Sequence, residues 1–305
     1  MVFRVGSAIA SALLAACLAF AACGDDADEP ADGASVVATT TQLGDLARQV
    51  AKGRAQVDQI LPPNADPHDY EPRPSDARSL EGADVVLQSG GGLDGWLGDL
   101  IESSGTDAAK VDASRAVGLR GDDPHWWQDP RRAEVAVKRI REALTRADPD
   151  GSGAYAANAK AYLTQLRALD TGVAECIGKL PSGARKLVTT HDALGYYADR
   201  YGLQVIGAVI PSLSSQAQPS SKDVGRLVDQ IRQERVKAIF PESSLNSELE
   251  KAVARESGAT VGGELWADTL GPEGSTGHSY IKSIEANTRT IADGLSGGEV
   301  RCFGS

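Results

Sequence analysis

The chain contains only four histidines, and three of them stand where a regular element should begin or end. His68 lies in a run too rich in proline for a helix or a central strand, and His125 lies just ahead of a helix. His191 follows a strand, and ligands bind at the carboxyl ends of strands in doubly wound sheets. Because first-row metal ions are bound by neutral imidazoles with an added carboxylate, these positions favour one divalent-metal site.

The fourth ligand should be a carboxylate from the second half of the chain, and two acids compete for this position. Asp268 comes after the last predicted strand, and Glu242 follows the strand that ends at Phe240. Spacing alone does not separate these two candidates. The fourth histidine, His278, stands at a predicted helix start, and we assign it no ligand role.

Strand-like and helix-like segments alternate along most of the chain, which predicts largely parallel sheets covered on both faces. The first series comprises strands at 35–39, 56–61 and 84–88 and helices at 42–52 and 75–80. The second series comprises strands at 186–189, 204–208, 236–240 and 259–261 and helices at 193–201, 220–233, 246–257 and 280–295. The predicted fold class is therefore α/β, with two lobes that are each a mostly parallel sheet flanked by helices.

Two helices in succession interrupt this alternation between the two series. The first begins at Asp129-Pro130, which supply an N-cap carboxylate and a proline at the first helical position. The second spans residues 154–180, and a helix of this length extends about 40 Å, enough to brace both lobes. The predicted organisation is a signal peptide at 1–22, a flexible tether at 23–34, an N-terminal lobe at 35–149, a linker helix at 150–181 and a C-terminal lobe at 182–305.

The only long apolar run of the sequence, at 5–22, lies between Arg4 and Cys23. Small residues precede this cysteine and an acidic tether follows it, as in bacterial lipoprotein signal peptides. Cys17 is a second candidate for lipid attachment, but cleavage there would leave the apolar residues 18–20 in the tether. We therefore expect lipid attachment at Cys23 and an extracytoplasmic, membrane-anchored protein.

The charge composition of the chain excludes a nucleic-acid-binding function. The chain has 42 acidic and 31 basic residues, a net charge of -11, without the clustered Lys and Arg that phosphate neutralisation needs.

Cys176 and Cys302 remain after export to a compartment where disulfides persist, so they pair with each other or stay free. We expect them to pair, because the terminus that carries Cys302 follows a helix able to pack near Cys176.

Four motifs resemble, in their order along the chain, the signatures of the zinc- and manganese-binding lipoproteins that serve ABC importers. They are Asp66-Pro67-His68-Asp69-Tyr70-Glu71-Pro72, Asp123-Pro124-His125-Trp126, Thr190-His191-Asp192-Ala193-Leu194-Gly195-Tyr196 and Ala267-Asp268-Thr269-Leu270-Gly271. The resemblance covers nearly all of the mature chain. It implies that the metal ligands are His68 and His125 from the N-terminal lobe with His191 and Asp268 from the C-terminal lobe. Glu242 matches an acidic position that the family keeps near the site, which implies a secondary role.

Two departures from the family pattern bear on the cargo. Zinc-binding members often carry a loop rich in histidine and acids ahead of the second ligand, whereas only residues 113–122, without histidine, stand there in this chain. The third ligand position holds His191, where manganese-selective members tend to hold glutamate. The missing loop gives no support to a chaperoning or sensing role. The donor set of three imidazoles and one carboxylate suits tetrahedral zinc (Zn²⁺), so we expect zinc in preference to manganese.

The resulting expectation is a monomeric solute-binding protein, not an enzyme, that captures the ion in an interlobe cleft and delivers it to an ABC permease. The alternative is a zinc metallohydrolase in which Glu242 acts as general base on a metal-bound water. Catalysis needs an open coordination position for that water, and four bound ligands leave none on a tetrahedral zinc ion. A surface adhesin shares the fold by family analogy, and nothing in the sequence favours it.

Overall fold

The computed structural model describes residues 1–3 and 33–303 of the chain. Cys17 and Cys23 lie outside the described residues, so lipid attachment stays a prediction. Across the part of the chain that is described, no helix is both long enough and apolar enough to span a membrane.

The first half of the described chain forms a four-stranded parallel sheet with strand order β2-β1-β3-β4. Its elements are β1 (Ser35–Ala38), α1 (Thr41–Ala51), β2 (Gln56–Gln59), α2 (Pro74–Glu81), β3 (Val85–Gln88), α3 (Leu97–Ser104), β4 (Ala109–Asp112) and α4 (Ala113–Val117). Val36 in the central strand pairs with Val57 on one side and Val85 on the other. Val36 and Val37 are both fully buried, as expected for a parallel strand that is covered on both faces.

Two long helices follow this sheet, as the sequence predicts. They are α5 (Pro130–Ala147) and α6 (Ser152–Gly178). The Asp129 side chain accepts a hydrogen bond from the Arg131 backbone at the start of α5, with Pro130 at its first position. The α6 helix has 27 residues and packs against α1, α5 and α10, so it contacts elements from both halves of the chain.

The second half of the chain forms paired parallel strands flanked by helices. Its elements are β5 (Lys186–His191), α7 (Gly195–Tyr201), β6 (Gln204–Ile210), α8 (Ser221–Glu234), β7 (Ala238–Ile239), α9 (Glu248–Ser257), β8 (Thr260–Val261) and α10 (Tyr280–Ser296). β5 pairs with β6, β7 pairs with β8, and a parallel bridge between Thr189 and Phe240 links the two pairs. We call this unit, in the order β6-β5-β7-β8, the C-terminal sheet, and the sheet of β1 to β4 the N-terminal sheet.

The predicted α/β class and the long helix are confirmed, with local corrections to the elements. Strand β4 was not predicted, and His191 was predicted to follow its strand. The structure makes His191 the last residue of β5, and α7 begins only at Gly195. The boundaries between the two lobes stay a prediction.

A disulfide joins Cys176 near the end of α6 to Cys302 in the segment after α10. Both cysteines are buried, in contact with Ala292 of α10. The bond therefore ties the long helix to the end of the chain, as expected.

Candidate metal site

Four different elements supply the residues of the site. His68 lies in a 3-10 turn, Pro67–Asp69, where the Asp66 side chain accepts a hydrogen bond from the His68 backbone. His125 immediately precedes a second 3-10 turn, Trp126–Gln128, which leads into α5. His191 ends β5, and Asp268 lies in the irregular segment after β8.

The structure brings His68, His125, His191 and Asp268 together, with one ligand atom from each within 4.8 Å of the others. The Nε2 atom of His125 lies 3.4 Å from that of His68 and 3.2 Å from that of His191. Asp268 Oδ2 lies 3.1 Å from His68 Nε2 and 3.2 Å from His191 Nε2. In a tetrahedral site with bonds of about 2.0 to 2.1 Å, neighbouring donor atoms are roughly 3.3 to 3.4 Å apart. These spacings therefore fit one small cation at the centre of the four residues.

The Asp268 carboxylate is the most informative group of the site. It is fully buried, and neither of its oxygens receives a hydrogen bond from any described residue. A buried carboxylate without hydrogen bonds is strongly destabilising unless a positive charge lies beside it. Three imidazole Nε2 atoms face the same point, and a cation bound there would supply that charge.

Carboxylates also lie behind two of the three imidazoles. His125 Nδ1 is 2.8 Å from Asp123 Oδ1, and His191 Nδ1 is 2.5 Å from Glu242 Oε1. A hydrogen bond at Nδ1 fixes the ring orientation and leaves Nε2 free for a metal ion. Both rings are therefore held in the orientation that a metal ligand needs.

Glu242 accordingly lies near the site, but on the far side of His191. Its carboxylate also accepts a hydrogen bond from the His191 backbone, so it faces away from the point where the Nε2 atoms converge. A general base must reach a metal-bound water directly or through one further water. This position argues against the metallohydrolase alternative. It also favours Asp268 over Glu242 as the carboxylate ligand.

The charges of the site depend on one another. Burial alone lowers the pKa of His191, but the Asp268 and Glu242 carboxylates outweigh it and raise that pKa well above 6.5. Burial raises the pKa of Asp268, and the imidazoles of His191 and His125 outweigh it and hold that pKa well below its ordinary value. Burial raises the pKa of Glu242. The mutual attraction of His191 and Asp268 therefore shifts their pKa values apart.

The segment that carries Asp268 is attached to the N-terminal half of the protein. The Ala267 carbonyl accepts hydrogen bonds from Trp127 Nε1 at 2.8 Å and from Gln128 Nε2 at 2.6 Å. The Leu270 backbone donates to a threonine hydroxyl at the start of α1. By these contacts Asp268 belongs with His68 and His125, although it follows the C-terminal sheet in the sequence.

Two residues named in the sequence analysis behave differently from the ligand set. His278 is exposed, and its Nδ1 bonds the Ser275 carbonyl, away from the site. Asp123 belongs to a quoted motif but received no role there. The signal for it is a repeat, because the tripeptide Asp-Pro-His occurs at both His68 and His125.

Fold and site together define a metal-binding protein of the substrate-binding class that serves ABC transporters, and not an enzyme. Residues 36–294 match the family model described as zinc-uptake complex component A, periplasmic, and the chain belongs to that family. This membership confirms the resemblance seen in the four motifs.

Similar proteins differ in the metal that they are named for. The chain is 34% identical over 273 residues to the manganese-binding lipoprotein MntA of Halalkalibacterium halodurans, with 88% of this chain and 90% of that protein covered. It is 31% identical over 281 residues to the iron-binding protein YfeA of Yersinia pestis, with 88% and 89% covered. The solved structure of the periplasmic zinc-binding protein TroA from Treponema pallidum superposes with a TM-score of 0.80 at 28% identity, covering 86% of this chain and 99% of that one.

Proposed function

We propose that the protein captures one divalent metal ion outside the cytoplasm and hands it to the permease of an ABC importer. The proposed ligands are His68, His125, His191 and Asp268. The buried Asp268 carboxylate, with no hydrogen bond to either oxygen and three imidazole nitrogens 3.1 to 3.5 Å away, is the observation that carries this proposal.

We propose zinc as the preferred cargo. Three imidazoles and one carboxylate form an N3O donor set, which suits tetrahedral zinc. Manganese prefers oxygen-rich, near-octahedral surroundings and stands below zinc in the Irving–Williams order. The donor spacings of 3.1 to 3.5 Å are compatible with a tetrahedral ion, and the donor types carry the preference for zinc.

Manganese is the second candidate, and one observation favours it. Both oxygens of Asp268 face the imidazoles, with Oδ2 toward His68 and His191 and Oδ1 3.5 Å from His125 Nε2. A bidentate carboxylate would add a second oxygen donor and raise the coordination number to five. Two of the similar proteins are also manganese-binding lipoproteins.

We also propose that the protein is anchored at the membrane beside its permease. The lipoproteins similar to this chain support an extracytoplasmic protein held at the membrane, and we propose Cys23 as the lipid-bearing residue. The acidic tether at 23–34 would then connect the anchor to the folded protein. We propose that the protein acts as a monomer beside its permease and does not bind nucleic acid.

Competition titration of the metal-free protein with zinc and manganese, in the presence of a chelating indicator, tests this function. The wild type should bind one ion, with zinc the tighter. Replacing His125 by alanine should abolish tight binding of both metals. His278→Ala removes an exposed histidine and serves as the matched control, with unchanged affinity. Equal or tighter binding of manganese would overturn the zinc assignment, and unchanged affinity in His125→Ala would overturn the site.

A further inference from the structure

The tripeptide Asp-Pro-His occurs twice in the site, and the structure uses its aspartate in two different ways. In both copies one carboxylate oxygen accepts a hydrogen bond from the histidine backbone, at 2.9 Å for Asp66 and 3.0 Å for Asp123. The Asp123 carboxylate also bonds the ring of its own histidine, His125. The Asp66 carboxylate does not bond the His68 ring, and its second oxygen points to the other half of the protein.

That second oxygen bonds the loop that follows β6. Asp66 Oδ2 accepts a hydrogen bond from Ser215 Oγ at 2.5 Å and a longer one from Gln216 Nε2 at 3.3 Å. Ser215 is buried. One carboxylate therefore holds the turn that carries His68 and also ties that turn to a loop of the C-terminal sheet.

His68 is the ligand that the protein holds least firmly. Its side chain is 8% exposed, compared with 0% for His125 and His191 and 1% for Asp268. Within residues 33–303 no side chain or carbonyl bonds the Nδ1 atom of His68, in contrast to the other two imidazoles. Its position therefore depends on its backbone, and that backbone depends on Asp66.

A second link joins the segment that carries His68 to the segment that carries Asp268, and it begins two residues before Asp66. The Asn64 backbone donates to Thr269 Oγ1 and to the Leu270 carbonyl, each at 3.0 Å. This link connects the loop to the segment of Asp268 and is independent of Ser215. Loss of the Ser215 contact should therefore free the turn of His68 from the loop after β6, while the segment before the turn stays attached through Asn64.

On this geometry, and on the proposed function, we propose that the hydrogen bond between Asp66 and Ser215 is a latch that sets the rate of metal exchange. The ion is enclosed by buried ligands, so it enters and leaves past His68, the one ligand with an exposed edge. While the latch is closed, the turn of His68 is fixed to both halves of the protein. When it opens, His68 can swing away and expose the ion. Asp66 and Ser215 are positioning residues that act through His68.

The test is stopped-flow release of zinc into excess chelator, measured on the wild type and on Ser215→Ala. Loss of a buried hydrogen bond to a carboxylate should speed release by about tenfold. Association should accelerate as well, so the equilibrium affinity should change by less than the release rate. Ser215→Thr restores the hydroxyl and should restore slow release. Gln218→Ala, which removes an exposed side chain of the same loop, is the control.

A spectroscopic measurement separates the latch from a change in the site itself. The absorption spectrum of the cobalt(II)-loaded Ser215→Ala protein should match that of the wild type, because the metal ligands are unchanged. Release from Ser215→Ala within twofold of the wild-type rate would overturn the latch, and so would failure of the threonine variant to restore slow release. A wild-type protein that binds no metal would instead overturn the proposed function.

Discussion

Replacing Glu242 by glutamine should weaken zinc binding by about tenfold, without removing any proposed ligand. Glutamine has the same shape and keeps an oxygen that can accept from His191 Nδ1, but it lacks the negative charge. Loss of a hydrogen-bonded partner behind a metal-bound imidazole costs 10- to 100-fold in affinity, about 1.4 to 2.8 kcal/mol. Since the glutamine keeps the hydrogen bond, we expect the lower end for Glu242→Gln and the upper end for Glu242→Ala.

The structure explains why the charge should matter at this position. The side chains of His191 and Glu242 are 0% and 3% exposed, and their contact of 2.5 Å is shielded from solvent screening. The assay is chelator competition at neutral pH with Glu256→Gln, an exposed glutamate on α9, as the control. His191→Ala should lose far more affinity than either Glu242 variant. Wild-type affinity in Glu242→Gln, or a loss equal to that of His191→Ala, would refute our assignment of Glu242 as a supporting residue.

Three further predictions concern protons and stability. Because the pKa of His191 is raised in the metal-free protein, zinc binding should release protons, and zinc affinity should fall as the pH drops below that pKa. Calorimetry in buffers of different ionisation enthalpy measures the number of protons released. A count of zero would contradict the charges assigned to the site. Replacing Cys176 and Cys302 by serine removes a disulfide that spans a sequence separation of 126. The free energy of unfolding in denaturant titrations should fall by up to about 4 to 5 kcal/mol. An unchanged denaturation midpoint would exclude a stabilising role for the disulfide. The Arg54 guanidinium holds the pKa of the Asp148 carboxyl well below its ordinary value, so this ion pair stabilises the protein at neutral pH and is lost in strong acid. Asp148→Asn should therefore flatten the acid dependence of the melting temperature. An unaltered pH profile would contradict a stabilising role for the ion pair.

The sequence was sufficient for those parts of the fold that have a strong apolar pattern. The alternation of strands and helices and the length of α6 follow directly from buried residues at regular spacing. Strand β4, Ala109–Asp112, was missed because its alternation of small, charged and apolar residues gives no continuous apolar run.

The site shows the same division between local pattern and long-range contact. The three histidines could be predicted because each stands at the end of an element. The choice between Asp268 and Glu242 could not be made from spacing, because both acids follow strands of the same half. The distances favour Asp268, which faces the Nε2 atoms, whereas Glu242 lies behind His191. The contact between Asp66 and Ser215 joins residues 149 positions apart and has no local signature in either loop.

The attachment of Ala267 to Trp127 and Gln128 has a consequence for how an ion could be transferred. Chain order suggests two ligands on each side of the cleft, but these hydrogen bonds group His68, His125 and Asp268 on one side and leave His191 alone on the other. A displacement of the C-terminal sheet would therefore break one metal bond rather than two. When His68 also swings away, the ion would remain on His125 and Asp268, with positions vacant for incoming donors. Transfer could then proceed by stepwise ligand exchange, without the ion ever becoming fully hydrated.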